Sequence, residues 1–133
     1  MKYNSVAAVI KNEKDEILVE DHVKIGGYVI PGGKMDKNES EYSSLCRELF
    51  EELGIIVDHM VFIKQMYFPD VEYPVNTGNY ADFDQGFYTV EKYHEEIVNK
   101  EPTKHTALLW KTKDELLNDP HTSRVLKEFL LSE

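Results

Sequence analysis

The sequence predicts a mixed α/β fold in one domain, an α/β/α sandwich around a mixed β-sheet, and three observations carry that reading. The chain has 133 residues, 41% of them hydrophobic, enough for one buried core and too few for two. One segment, Glu39 to Leu53, has apolar residues at helical spacing. Around it lie short β-branched and aromatic runs broken by Gly, Pro and Asn, which read as strands and turns. No repeat, low-complexity stretch or linker divides residues 1–133, so they are read as one layered unit.

The elements follow in order. Tyr3 to Lys11 is rich in Val, Ile and Ala, and the polar turn Asn12 to Asp15 leads into Ile17-Leu18-Val19, a predicted hairpin. Gly26 to Gly33 reads as one short strand between glycine turns. In the helix, Tyr42, Leu45, Cys46, Leu49 and Leu53 recur at steps of three and four. Asn38 is the expected N-cap, with Glu41 in the capping-box position, and Gly54 suits the left-handed residue past the end. Ile55 to Phe68 and Ala81 to Tyr93 read as strands joined by the loop Asp70 to Asn79. A short strand over Ala107 to Trp110 and helices from Lys113 and from Thr122 complete the chain.

Charge narrows the function. Lys and Arg number 15 and Asp and Glu 25, a formal net charge of −10. A surface this acidic disfavours nucleic-acid polymers and anionic membranes, which recruit Lys and Arg. The apolar run Val6 to Ile10 is far too short to span a bilayer. A single cysteine, Cys46, cannot close an internal disulfide; it fits a reducing compartment, and the expected location is cytoplasmic. Cys46 falls in the apolar arc and reads as a buried structural thiol.

The helix carries its acids where local physics disfavours them. Glu41, Glu48, Glu51 and Glu52 share an arc beside the apolar stripe, and Glu48 and Glu52 are four apart, so they are surface neighbours. Three of them lie near the negative end of the helix dipole, where cations are preferred by about 0.3–1 kcal/mol per charge. A bound hard cation such as Mg²⁺ reverses the sign of both penalties. Alternatively, the four are ordinary solvated glutamates.

From Gly33 the chain reads GKMDKNESEYSSLCRELFEELGI, residues 33–55. This resembles the signature of the Nudix hydrolases, MutT-like nucleotide pyrophosphohydrolases among them, G-x5-E-x7-R-E-U-x-E-E-x-G-U with U aliphatic, at every defined position. The preceding Pro31-Gly32-Gly33 is a common feature of the same family. The resemblance implies hydrolysis of a nucleoside diphosphate linked to another group with Mg²⁺ or Mn²⁺, above all a (d)NTP giving the monophosphate and pyrophosphate. ADP-ribose or dinucleoside polyphosphates are the runner-up substrates, and a sensor module that binds without cutting is the rival of another class. Such a module can lose its box acids, whereas this chain keeps them all.

By the same similarity Glu48 and Glu52 would ligate metal, Glu51 would join them directly or through water, and the Gly32 carbonyl would be a backbone ligand. Arg47 and Glu39 would fix the loop against the helix, and Gly33 and Gly54 would shape the helix entry and exit. The general base is left open among Glu48, Glu95, Glu96, Glu101 and His105; the alternative for His105 is a surface loop histidine. Tyr28, Lys34 and His105 are the candidate substrate contacts. Homodimers are common in the family, and the C-terminal helix is the expected contact.

Overall fold

The computed structural model describes all residues 1–133. Alternation along β1 (Lys2–Val9) sets the layers. Val6 and Ala8, with the following Ile10, face one apolar core, and Ala7 and Val9 face another. A strand apolar on both sides must be covered on both. One cover is α1 (Glu41–Leu53), whose Leu45, Leu49 and Leu53 complete the first core. The other is the pair α2 (Lys113–Asn118) and α3 (Arg124–Leu131). There Leu116, Leu126, Phe129 and Leu130 join Phe68, Phe83 and Phe87, and Phe129 stacks on Phe87 with ring centroids 4.1 Å apart. The expected α/β/α sandwich is therefore present.

The sheet between these layers is mixed. β1 pairs in parallel with β6 (Tyr80–His94) and antiparallel with β4 (Gly32–Lys34). β5 (Ile56–Glu72) lies outside β6, giving the order β4-β1-β6-β5. A second sheet has β3 (Gly27–Val29) and β7 (His105–Lys111) on either side of β2 (Ile17–His22). No helix is long and apolar enough to cross a membrane.

Several local expectations give way to this topology. β1 and β2 do not form an extended hairpin, because β4 and β6 already occupy both edges of β1; only the Lys11–Ile17 bridge survives at the turn. The single strand over residues 26–33 is two strands in different sheets, separated at Ile30-Pro31. β5 runs into the expected loop as far as Glu72, with Pro69 tolerated at a bulge of an edge strand, and β6 begins at Tyr80, one residue early. β7 begins at His105, two residues early, and α3 begins at Arg124, capped by Ser123. The N-cap of α1 is Ser40, whose Oγ accepts from the Ser43 N–H at 3.1 Å. Asn38 instead sits in a turn at φ 71°. Gly54 does take the left-handed conformation, φ 73°, and its N–H returns to the Phe50 carbonyl.

Candidate metal and diphosphate site

Once the leucines of α1 face the core, the helical period fixes its acids. Glu48 and Glu52 lie on the row turned toward β4, and Glu51 falls on the exposed side. The Gly32 N–H donates to Glu52 Oε2 at 3.3 Å. Gly33 is neither at the helix entry nor at positive φ, contrary to the expected entry-shaping role; it leaves room for Glu48. A Cβ at residue 33 would stand 2.5 Å from the Glu48 carboxyl carbon.

Arg47 organises the rim. Its Nε and Nη2 donate to the two oxygens of Glu39, each at 2.9 Å, a bidentate pair spanning eight residues. Its Nη1 reaches Glu48 Oε1 at 3.1 Å and Glu51 Oε2 at 3.3 Å. Glu39 also accepts from the Asp36 N–H, so the loop before the helix is tied to the helix's middle. The Arg47 hydrogen bonds, with that backbone donor, hold the Glu39 carboxyl down to about 2. Glu48 moves the other way: burial raises it, and the Arg47 charge only partly offsets this.

Two functional candidates were missed at the sequence level or placed wrongly. Glu20 on β2 is 1% exposed and lies against Glu52, 4% exposed, from α1. His105, expected on a loop, is the first residue of β7 and 1% exposed. Its Nε2 lies 3.5 Å from Glu20 Oε1 and 3.9 Å from Glu52 Oε1. Burial holds His105 below its ordinary range, favouring the neutral ring. Burial also raises both Glu20 and Glu52; the Glu20 charge pushes Glu52 up further, whereas the hydrogen bond between the two carboxyls partly offsets the rise in Glu20. Glu20 Oε2 and His105 Nδ1 have no hydrogen-bond partner.

The strand pattern held a signal for Glu20. A strand that turns Leu18 toward α1 turns Glu20 toward the same face. His105 arrives by another route. The loop before β7 docks on the end of α1, with Val98 and Lys100 N–H groups donating to the Leu53 and Glu52 carbonyls at 3.0 and 2.9 Å. Those bonds satisfy orphan carbonyls of the helix and carry Glu101 and His105 to the acids. Asn99 Nδ2 then donates to the His105 carbonyl at 2.7 Å, and Lys104 pairs with Glu101 at 3.1 Å.

The donor set fits a divalent cation. Glu20, Glu52 and His105 each direct a potential ligand atom into a volume where these atoms lie within 4.8 Å of one another. Buried acids with an unpartnered oxygen are costly without positive charge, and oxygen-rich sites suit Mg²⁺ or Mn²⁺. Glu48 and the Gly32-Gly33 backbone border the same region.

A cavity of about 410 Å³ opens beside these groups, lined by Glu20, Gly32, Gly33 and Lys34 at one end. Lys34 Nζ sits 4.0 Å from the Tyr3 ring centroid and 4.7 Å from that of Tyr73, a cation at the cavity wall. Tyr28 is not among the lining groups; it packs edge-on against His121 at 4.7 Å, in the contact between β3 and the segment leading into α3.

Comparison with known families matches residues 1–130 to the model described as the NUDIX domain. The RNA pyrophosphohydrolase of Ruthia magnifica subsp. Calyptogena magnifica is 38% identical over 56 residues, which are 42% of this chain and only 31% of that protein. The MutT NUDIX hydrolase from Burkholderia pseudomallei superposes with a TM-score of 0.79 at 24% identity, covering 99% of this chain and 97% of that one. The MutT protein from Methanosarcina mazei Go1 gives 0.81 at 21% identity, covering 98% and 91%. At these identities the two structures bear on the fold alone.

Proposed function

Because the chain belongs to the NUDIX domain family, we propose that it is a metal-dependent pyrophosphohydrolase whose substrate is a (d)NTP, released as monophosphate and pyrophosphate. The observation that carries this reading is the burial of Glu52 against Glu20 beside Gly32, with Glu48 at its edge, at the end of a cavity of nucleotide size. The relative named RNA pyrophosphohydrolase supports the same bond type.

The residues divide the work as follows. Glu48, Glu52 and the Gly32 carbonyl would hold Mg²⁺ or Mn²⁺, with Glu51 directly or through water and Glu20 adjoining Glu52. Such an ion, when bound, withdraws charge from diphosphate oxygens and lowers the pKa of an attacking water. Arg47 fixes Glu48 and anchors Glu51, so the acids keep their positions against mutual repulsion. Glu48 is the favoured acceptor of the water's proton during in-line attack on phosphorus, since it is only half-buried and open to the site. Lys34 supplies positive charge where the phosphates enter the cavity.

The test is a phosphate-release screen, coupled to pyrophosphatase for dNTPs and NTPs and to alkaline phosphatase for ADP-ribose, dinucleoside polyphosphates and nucleotide sugars, whose cleavage exposes terminal phosphates that the intact compounds lack. Chelator-sensitive turnover of triphosphates is expected. Turnover confined to ADP-ribose or dinucleoside polyphosphates would replace the substrate. Nucleotide binding without turnover of any compound would replace the enzyme with a sensor module.

A further inference from the structure

We propose that Gln85 is a specificity-determining residue of the cavity, and that it selects nucleotides whose base has a carbonyl oxygen at purine position 6 or pyrimidine position 4 over those with an amine there. The proposal rests on the nucleotide reading above and extends it to the base.

From the acids at Gly32 and Gly33 the cavity runs over β1 and β6 toward Tyr73 and the start of α3. Its exposed surface is largely apolar, and at the middle of the β1–β6 floor the polar side chains are Ser5 and Gln85, so these bear on which base can bind. Along β6, Phe83, Gln85 and Phe87 point to the same face, and both phenylalanines are buried in the core. An amide thus occupies the middle of an aromatic row. Phe83 meets Tyr73 edge-on at 5.6 Å, and both line the cavity, a wall against which a planar ring can pack.

The orientation of the amide follows from its neighbour. Ser5 on β1 is the register partner of Gln85 in the parallel pairing, and its Oγ lies 2.9 Å from Gln85 Oε1. Ser5 is 4% exposed, and this is the one side-chain hydrogen bond its hydroxyl makes. A buried hydroxyl hydrogen needs an acceptor, and the Gln85 oxygen is the one within reach. The serine therefore donates and holds the amide oxygen against β1, which leaves Nε2, a donor, as the free end of the Gln85 amide at the cavity floor. The carbonyl at position 6 of hypoxanthine or guanine, or at position 4 of uracil or thymine, accepts from it. The amine at the same position of adenine or cytosine would set donor against donor.

The direct experiment compares kcat/KM for ITP against ATP, which differ in having oxygen or nitrogen at position 6 of the ring, and for UTP against CTP. The expected preference is about tenfold or more for the carbonyl partner of each pair, the worth of one well-placed hydrogen bond. Gln85→Glu, which exchanges the donor for an acceptor, should bring the ITP/ATP ratio below one. Gln85→Met, of similar volume and without a donor, should bring it close to one; it keeps the test decisive should the glutamate variant fail to fold. Equal kcat/KM for ITP and ATP, a preference for ATP, or a ratio unmoved in both variants would overturn the assignment. Dissociation constants for the α,β-methylene analogues of ITP and ATP, measured by calorimetry with Mg²⁺, separate the two levels. Absence of all triphosphate turnover would count against the hydrolase reading. In that case tighter binding of the inosine analogue upholds Gln85, and equal or absent binding overturns it.

Discussion

At the residue scale, Glu52 is the side chain in which stability and function oppose each other most directly. Its carboxyl is 4% exposed and faces Glu20, so without a cation the folded state disfavours its charge. Gln has the same shape and no charge to desolvate. Glu52→Gln should therefore lower turnover by orders of magnitude, while the melting temperature in chelator stays level or rises. Near-normal turnover would refute the ligand role. Gly33 gives a second test. An added methyl at Gly33→Ala meets first the carboxyl end of the Glu48 side chain, which must leave its place on Arg47 to make room. The expected outcome is a stability change below about 1 kcal/mol with a clear loss of activity. An equally large loss of stability would make Gly33 a folding residue instead.

At the scale of elements, α1 is positioned by its start and by the loop ahead of it. Ser40 caps the helix, so Ser40→Ala should cost about 1 kcal/mol in denaturant unfolding. Asn38→Gly should cost little, because φ 71° is open to glycine without strain. The reverse order would restore Asn38 as the cap. Glu39 links the same loop to Arg47, and its carboxyl is held down to about 2 against an ordinary 4.5. A depressed folded-state pKa in an acid adds stability that is complete above the unfolded value. That stability is lost as pH falls through the window from 4.5 toward 2. Glu39→Gln should lower stability at neutral pH and flatten this acid-side dependence, as read by thermal melts between pH 7 and about 2.5; an unchanged slope would count against the pair.

At the scale of the whole molecule, what was legible in the sequence was whatever depends on one segment. The spacing of Leu45, Leu49 and Leu53 sets the helix, and the same period puts Glu48 and Glu52 on one row, so the acids could be placed from local geometry. What depends on pairing between distant segments was not legible. The turn at residues 12–15 looks the same whether β1 and β2 share a sheet or part into two, and that choice is made by β4 and β6 taking both sides of β1. For the same reason Glu20 and His105, from the second sheet, could not be joined to Glu52 until both sheets were in place. Tyr28, well placed along the chain for the cavity, is turned away from it by the pairing of β3 with β2 and packs on His121.

A net charge of −10 and a buried carboxyl pair make the metal-free molecule one that a divalent cation should stabilise at a single place. The most direct measurement is the rise in melting temperature on adding Mg²⁺ to the chelated protein and to the Glu48→Gln, Glu52→Gln double variant. A clear rise in the first and little or none in the second is the predicted result. An equal rise in both would place the ion elsewhere and contradict the role given to the acids of α1.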